Sequence, residues 1–279
     1  MGKQISYYEF PNGHVVKDVE SDGVYRFNPV SRAWERDDAL TAEFAWDRPY
    51  GEPCSQLRQK VDVSCDLPPF PHASEFQPGS TVLIGAWPQR SPHDFSPIAW
   101  IVLETRGSIA LCMSRDCLIT SGYCDPRKVY GKPKLLWWEN SLARDICNHR
   151  FHDAAFSAEE KARLIPRKMT SVQLGRQCED SVFLLSEQEA YRYLPSNAHR
   201  QAQPTPLVRS EGAFMGWAEE TKACTSWWLL PEENAYGIQD GSIYPKAILP
   251  TGESQFHGRN IYHTDFTLRP CIQVQFGND

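Results

Sequence analysis

The sequence predicts an α+β fold built from an antiparallel sheet and flanking helices. Strand-like alternation of apolar and polar residues begins at Ser80 and returns in the closing residues 271–276. Two Ser-x-x-Glu motifs, at Ser157 and Ser186, have the pattern of the capping boxes that begin helices. The 279 residues are 41% hydrophobic and 12% aromatic, which is enough apolar material for the core of one large domain.

The charge of the chain is unevenly distributed. The net charge is −6, and residues 1–76 carry 13 acidic and 8 basic side chains, which predicts an acidic N-terminal module over residues 1–70 and a main domain over 71–279. A net negative chain has no general attraction for nucleic acid or an anionic membrane, so neither is expected as a partner. The sequence shows neither an 18-residue apolar run nor a secretory signal, so a cytoplasmic location and reduced cysteines are expected.

Residues 5–50 predict short strands joined by polar turns. Residues 24–27 alternate in character, residues 28–31 form a turn and residues 33–36 return, which is the pattern of a β-hairpin. Residues 47–78 contain many prolines and little periodicity, and are typical of a linker that wraps over the next domain.

Three consecutive strands are expected to open the main domain, with residues 106–107 as the turn between the second and the third. They cover residues 81–84, 98–103 and 108–113. Ile98, Trp100 and Val102 fall on one face of the middle strand, as expected for a half-buried antiparallel sheet.

A helix is expected to begin at residue 140 or 141. Leu142 and Ile146 would lie on one side of it, while Arg144 and Asp145 can face water.

Arg269 and Asp180 are expected to make hydrogen bonds that have a structural role.

The two capping boxes predict two further helix starts. Ser157 can accept the amide of Glu160, whose carboxylate can accept the amide of Ser157, and Ser186 and Glu189 form the same arrangement after a strand over residues 182–185. Prolines at positions 166 and 195 end these helices.

The last third of the chain returns to strands and long loops. Residues 227–230 form an apolar Trp-Trp strand, and residues 240–241 are an Asp-Gly turn signal between two short strands. Residues 271–276 alternate strictly and form the closing strand. The tryptophans expected in the core are Trp100, Trp138, Trp227 and Trp228.

Spaced motifs in the main domain carry a resemblance to a known family. They cover residues 97–103, 138–151, 155–160, 180–193, 227–229 and 268–270. On these motifs the chain, from about residue 76 to its end, resembles a bacterial family known as domain of unknown function 6273. Three positions depart from the family pattern: residues 146–148 are Ile-Cys-Asn instead of Trp-Leu-Asn, Leu230 replaces an arginine and Cys271 replaces an alanine. A function that used this arginine would be lost here.

The resemblance implies a C-type-lectin-like domain, similar in architecture to formylglycine-generating enzymes and to the variable proteins of diversity-generating retroelements. In such folds the early and final strands pair, two helices flank the sheet, and long loops after the Trp-Trp strand form a ligand face. Lectin-like folds often place a disulfide where Cys147 and Cys271 stand. The two side chains are therefore expected to lie close together, as reduced core thiols.

Cysteine chemistry supplies one alternative function. Cys112, Cys117 and Cys124 lack the tight CxxC spacing of structural zinc sites and are expected to be buried thiols. A redox or copper-dependent enzyme of the formylglycine-generating type would need a thiol pair, for which Cys224 and Cys271 are candidates. No obvious His or Lys constellation in the sequence activates them, and no cofactor is expected.

Metal binding by histidines or acidic residues is a weaker alternative. His149 and His152 are spaced i, i+3, which without a third ligand indicates a solvated helix end. His257 and His263 lie in a polar loop that favours surface contacts or ligand binding. Residues 232–234 follow the Trp-Trp strand, where calcium-dependent lectins carry their ligands, but the local motif differs.

The sequence therefore predicts a non-enzymatic ligand-binding protein, with a binding face built from loops 232–244 and 253–266 and a protein or glycan as its ligand. Its candidate binding residues are Asn234, Tyr236, Gln239, Asp240, Tyr244, Phe256, His257, Arg259, Asn260, Tyr262 and His263. Tyr236 and Tyr244 also fit a simple packing role in their hairpin. A structural protein of a phage or surface particle, docking through the N-terminal hairpin, is a further alternative.

Overall fold

A computed structural model describes residues 5–9, 15–19, 21–28, 33–47, 59–60, 68–92, 95–125, 138–171, 176–231, 238–239, 242–243, 245–256 and 264–277. Its strands are β1 (Ile5–Glu9), β2 (Val15–Val19), β3 (Gly23–Asn28), β4 (Ala33–Arg36), β5 (Gln59–Lys60), β6 (Thr81–Pro88), β7 (Phe95–Arg106), β8 (Ile109–Ser114), β9 (Ile119–Thr120), β10 (Arg167–Ser171), β11 (Arg176–Asp180), β12 (Val182–Phe183), β13 (Trp227–Trp228), β14 (Ile238–Gln239), β15 (Ser242–Ile243), β16 (Lys246–Ile248), β17 (Ser254–Phe256), β18 (Thr267–Leu268) and β19 (Cys271–Gln275).

The helices are α1 (Asp38–Asp47), α2 (Leu142–Asp145), α3 (His152–Ala155), α4 (Ala158–Arg163), α5 (Glu187–Tyr193), α6 (Asn197–Arg200) and α7 (Pro206–Ser210). A π-helical segment, Ile146–Phe151, joins α2 to α3, and short 3-10 helices cover Ala73–Glu75 and Trp138–Asn140. The α+β class predicted from the sequence is confirmed. None of the helices described combines the length and the apolar character needed to cross a membrane.

The N-terminal strands form a sheet in the order β4-β3-β2-β1-β5. The predicted hairpin is confirmed, because β3 and β4 pair with Arg26 opposite Glu35. The expectation of strands alone up to residue 50 is wrong, since α1 occupies Asp38–Asp47. Asp37 begins this helix: its carboxylate accepts the amide of Leu40 at 3.0 Å, and that bond lowers the pKa of Asp37. Part of the predicted linker, β5, also joins this sheet.

A five-stranded antiparallel sheet, in the order β12-β19-β8-β7-β6, forms the centre of the main domain. Ile98, Trp100 and Val102 are fully buried on one face of β7, as predicted. The closing strand shares this sheet with the early strands. It pairs with β8 and β12, with Cys271 opposite Met113, rather than with the first strand of the domain.

Both predicted capping boxes are present, at the starts of α4 and α5. The carboxylate of Glu160 also accepts the amide of Gly85, in the bulge of β6, at 2.7 Å. Gly85 has φ +67°, and a Cβ there would lie 2.6 Å from the carbonyl oxygen of Ala155. Glu160 thereby fixes the start of a helix and an irregular point of the sheet together.

The first predicted helix begins where expected. The hydroxyl of Ser141 accepts the amide of Arg144 at 3.0 Å, which confirms the start of α2. Arg144 faces water only in part: its side chain is 28% exposed, and its guanidinium pairs at 2.8 Å with the buried carboxylate of Asp180. That carboxylate also accepts the indole N–H of Trp138 at 2.8 Å, so its role is structural, as predicted. Ala143 and Cys147 are fully buried, and Ile146 packs against the core while remaining partly exposed.

A second five-stranded sheet, in the order β17-β16-β13-β18-β9, packs into the same core. Its central strand, β13, runs antiparallel to β16 and parallel to β18. Trp227 and Trp228 are fully buried, as are Trp100 and Trp138, so the predicted core tryptophans are confirmed. Their indole N–H groups donate to backbone carbonyls or, for Trp138, to Asp180, so the buried donors are paired.

Arg269 links the two sheets at the junction between β18 and β19. Its Nε and one terminal nitrogen donate to the carbonyls of Ser114 and Arg115, each at 3.0 Å. Its guanidinium also lies 5.3 Å from the ring centre of Trp227, in the second sheet. The side chain is 2% exposed, so these contacts replace part of its hydration, while its other terminal nitrogen is buried without a hydrogen-bond partner. The predicted structural role of Arg269 is confirmed.

Replacing Arg269 with lysine is expected to lower the free energy of unfolding by about 2–4 kcal/mol, because an ammonium cannot reproduce the planar fork that meets two carbonyls and the indole. Urea denaturation measures this loss. The matched control is Arg106→Lys at a side chain that is 72% exposed, where a change of about 0–1 kcal/mol is expected. Equal effects of the two substitutions would contradict the linking role of Arg269.

Candidate ligand-binding site

A cavity of about 470 Å³ lies where the segment after α7 meets the second sheet. We refer to it as the Trp217 cavity. Its lining residues are Phe214, Gly216, Trp217, Ala218, Thr221, Leu249, Pro250, Thr251, Gln255, Asp265 and Phe266. Most of these are apolar or aromatic, and the volume is within the range of small-molecule binding sites.

Trp217 stands out on the surface of the described residues. Its side chain is 90% exposed, whereas Trp100, Trp138, Trp227 and Trp228 are fully buried. An indole left in water at the mouth of an apolar cavity loses the free energy that burial would supply. Such a residue is typical of a contact surface for a ligand or partner.

The loop that carries Trp217 is held by its own backbone. The amide of Gly216 donates to the carbonyl of Cys224 at 3.0 Å, and the amide of Lys222 donates to the carbonyl of Ala218 at 2.8 Å. Met215 and Thr225 form an antiparallel bridge at the base of this loop. Residues 215–225 are thus closed into a compact turn that fixes the backbone position of Trp217.

The close approach within this turn requires glycine at position 216. A Cβ there would lie 2.3 Å from the carbonyl oxygen of Thr221, which is an impossible contact without movement of the backbone. The base of the turn is anchored by the hydroxyl of Thr225, which donates to the carbonyl of Phe214 at 2.8 Å, and by the amide of Phe214, which donates to the carbonyl of Asp265 at 2.7 Å.

The floor of the cavity belongs to the core. The ring of Phe266 is 4% exposed and packs 4.9 Å from Trp228 and 5.9 Å from Phe214, measured between ring centres. Phe214 in turn meets Trp217 edge-on at 6.4 Å. The aromatic wall therefore continues from the buried second sheet to the exposed indole.

The opposite wall comes from the turn between β16 and β17. The amide of Gly252 donates to the carbonyl of Leu249 at 2.8 Å, and the guanidinium of Arg200, which is 3% exposed, donates to the carbonyl of Gly252 at 2.7 Å. This buried arginine holds in place the turn that carries Leu249, Pro250 and Thr251, which line the cavity.

The formal charge of the described cavity lining is negative. Among the described residues that line it, Asp265 is acidic and none is basic. The neighbouring loop adds Glu219 and Glu220, of which Glu219 pairs with Lys222.

The structure locates the predicted binding face only in part. Gln239 lies in β14, paired with Ser242, and Phe256 lies at the end of β17, paired with Lys246. The predicted hairpin around residues 240–241 is confirmed by the pairing of β14 with β15. The remaining predicted site residues lie outside the described residues: Asn234, Tyr236, Asp240, Tyr244, His257, Arg259, Asn260, Tyr262 and His263.

Three of the lining residues nevertheless fall within the predicted loop 253–266, namely Gln255, Asp265 and Phe266. The sequence interpretation missed Trp217 and its loop. The signal for it was a Gly-Trp pair in a segment without apolar periodicity, where a core tryptophan is not expected.

The described cysteines are buried thiols without disulfide bridges. Burial raises the pKa of Cys112 and Cys124 to about 12 and the pKa of Cys117 to about 11. Burial also raises the pKa of Cys224 and, by more, that of Cys271. Cys147 is fully buried as well, and its expected proximity to Cys271 stays a prediction.

In the described part of the chain, the candidate histidines and acidic residues do not form a metal-binding site. His149 is 71% exposed, and the imidazole of His152 lies 3.1 Å from the carboxylate of Asp153. No group of three or more His, Cys, Asp or Glu side chains among the described residues could hold a metal ion. Residues 232–234 and His257 lie outside them.

A second, more polar cavity of about 220 Å³ lies over the central sheet. Its charged groups neutralise one another: Arg106 pairs with Glu104 at 3.0 Å, and Arg167 pairs with Glu189 at 2.8 Å. The hydroxyl of Tyr193 also donates to Glu104 at 2.7 Å, and this bond contributes to a lowered pKa of that carboxyl. A charged ligand would have to displace these pairs, so this cavity is a weaker candidate.

Comparison with known proteins agrees with the motifs. Residues 114–276, more than half of the chain, match the family described as "Domain of unknown function (DUF6273)". The search found no significant match among curated proteins or among solved structures.

The buried thiols are expected to resist alkylation in the folded protein. Because the pKa of Cys112 is about 12, only about one Cys112 thiol in ten thousand is ionised at pH 8, and burial also blocks the access of a reagent to it. Iodoacetamide labelling followed by peptide mass spectrometry should modify Cys112, Cys117, Cys224 and Cys271 much faster in urea than in buffer. Rapid labelling of Cys224 or Cys271 in the folded protein would instead favour thiol chemistry.

Proposed function

We propose that this chain, which belongs to the DUF6273 family, is a non-enzymatic ligand-binding protein and that the Trp217 cavity is its binding site. The observation that carries the proposal is the 90% exposed indole of Trp217, held beside an apolar cavity by a closed loop.

The turn that carries Trp217 is already ordered before a ligand binds. A ligand that covers Trp217 buries a large aromatic surface that the free protein leaves in water. Because backbone hydrogen bonds already fix residues 215–225, little backbone entropy remains to be lost on binding. An exposed tryptophan on such an ordered turn is therefore suited to contribute a large share of the binding free energy.

The proposed site extends the binding face predicted from the sequence. Gln255, Asp265 and Phe266 line the cavity and fall within the predicted loop 253–266, although none of the three was among the predicted binding residues. In this proposal the cavity supplies most of the apolar contact with the ligand. The proposed ligand is a glycan or a protein partner. The net charge of −6 gives no reason to propose nucleic acid or a membrane.

Thiol-based catalysis is less well supported than binding. A nucleophilic or redox-active cysteine needs an accessible thiolate, which an electropositive neighbourhood usually stabilises. Cys224 and Cys271 are buried, and burial raises the pKa of both thiols. These observations favour core packing as their role.

Replacing Trp217 with alanine is expected to weaken ligand binding by about thirtyfold or more, because the substitution removes about 2 kcal/mol of contact free energy. Glycan and protein arrays probed with the wild-type protein identify the ligand, and isothermal titration calorimetry then measures its affinity. The melting temperature should change little, since the indole makes few buried contacts in the free protein.

Leu83→Ala is the matched control. Leu83 is a large apolar residue that is 40% exposed and does not line the cavity, so its loss should leave the affinity unchanged. Full retention of array ligands by Trp217→Ala, or equal losses in the two variants, would contradict the proposed site.

A further inference from the structure

We infer that the second, more polar cavity binds a small α-amino acid with an apolar side chain, at a site separate from the Trp217 cavity. We refer to this second cavity as the Gln273 cavity. Its volume of about 220 Å³ is below the range of cavities that hold drug-sized molecules, so its ligand is small. The inference is carried by two ion pairs in the lining, by an amide that the folded chain leaves unused and by an apolar floor.

The Gln273 cavity lies on one face of the central sheet. Glu104 of β7 is opposite Leu111 of β8, which is opposite Gln273 of β19. Residues opposite each other in antiparallel strands share a face, so these three side chains form a row across the sheet. Glu189 and Tyr193, which are one helical turn apart in α5, also line the cavity, so the helix forms one of its walls. A sheet and a helix therefore fix the shape of the site.

Both signs of charge line the cavity. Arg106 pairs with Glu104 at 3.0 Å, and Arg167 pairs with Glu189 at 2.8 Å. The side chains of Glu104, Arg167 and Glu189 are at most 25% exposed, so a charge left without a partner there would be costly. A singly charged ligand would take one member of a pair and leave the other unpaired. An α-amino acid offers a carboxylate to the arginines and an ammonium to the glutamates, so each of these four charges keeps a partner.

Two of the charged groups retain hydrogen-bonding capacity for a ligand. In the described part of the chain, Arg106 donates through one terminal nitrogen, to Glu104, which leaves its remaining donors for a carboxylate. The hydroxyl of Tyr193 donates to Glu104 at 2.7 Å and lowers the pKa of that carboxyl, so Glu104 is ionised at neutral pH. Glu104 also pairs with Arg192 at 3.2 Å. An ionised carboxylate has about four acceptor positions, so one of them remains for an ammonium.

Gln273 supplies an amide that the folded chain does not use. Its side chain is partly buried, yet it makes no hydrogen bond to any residue in the described part of the chain. By contrast, the partly buried amide of Asn148 donates to the carbonyl of Val182 at 2.8 Å and accepts the backbone amide of the same residue at 3.1 Å. Because a side-chain amide at the edge of the core normally finds such partners, Gln273 is suited to hydrogen-bond a ligand.

The apolar floor indicates the class of side chain. Ile109 and Leu111 line the cavity beside the charged groups, and Leu111 is 7% exposed. An aliphatic side chain of the ligand would cover this floor while the carboxylate and the ammonium meet the ion pairs. A polar side chain would gain less, because it would lose water without finding partners on the floor.

The test begins with five free amino acids: alanine, valine, leucine, isoleucine and methionine. The tightest binder is then compared with its amide, which carries only the ammonium, and with the acid that lacks the amino group and carries only the carboxylate. Calorimetric titration of the full chain should show the amino acid binding at least about tenfold more tightly than either singly charged probe. A smaller difference would overturn the inference, as would no binding by any of the five up to about 10 mM.

Two matched pairs of substitutions locate the site. Arg106→Gln should weaken binding of the amino acid at least about fivefold, whereas Arg192→Gln, which removes a charge that pairs with the same glutamate from outside the lining, should change it less than about twofold. Gln273→Ala should weaken binding at least about threefold, whereas Gln275→Ala, at an exposed position of the same strand, should leave it unchanged. Gln273→Ala removes no side-chain hydrogen bond within the described part of the chain, and melting temperatures check that all four variants fold.

The remaining outcomes separate this inference from the proposed function. Equal effects within either pair of substitutions would overturn the inference, because the cavity would not then determine the binding. Weaker binding of the amino acid in Trp217→Ala, without a change in Arg106→Gln, would place the ligand in the Trp217 cavity and would overturn it too. If no amino acid binds while an array ligand still depends on Trp217, the inference fails and the proposed function stands.

Discussion

The buried guanidinium of Arg269 joins the two sheets on which the rest of the main domain depends. One short stretch of chain runs from Asp265 and Phe266 at the cavity, through β18 of the second sheet, to β19 in the central sheet. Arg269 lies where the chain passes from β18 to β19. Its guanidinium donates hydrogen bonds to the carbonyls of Ser114 and Arg115, at the end of β8, and lies 5.3 Å from the ring centre of Trp227. A displacement of the chain at this point would move the floor of the Trp217 cavity, because the same stretch forms both.

This constraint explains how an exposed aromatic residue can be held in place. The core supplies a rigid base through Phe266 and Trp228, and the backbone of residues 215–225 closes on itself above that base. Burial therefore ends at Phe214, and the next aromatic residue along the wall, Trp217, meets water. Exposed apolar surface of this kind is typical of a contact site for a ligand or partner, as the proposed function requires.

The sequence was sufficient for features that depend on neighbouring residues. Both capping boxes, the face of β7 and the Asp-Gly hairpin follow from short patterns whose physics is local. The ion pair of Arg144 was not predicted because its partner, Asp180, is 36 residues away in the sequence, and helical spacing carries no information about such a partner. The helix after Asp37 was missed although Asp37 is a good N-cap residue, because its apolar residues show little helical periodicity. Trp217 was missed because the exposure of a tryptophan is decided by tertiary packing.

The proposed binding site requires that the Trp217 cavity is preformed in the free protein. Residue-resolved hydrogen–deuterium exchange tests it most directly, at the amides of Gly216, Thr221, Lys222, Cys224 and Thr225, which all donate to backbone carbonyls. In a preformed cavity these amides exchange far more slowly than in the urea-unfolded chain, before any ligand is added. Exchange at the unfolded rate would mean that residues 215–225 open freely and that no cavity exists until a ligand forms it.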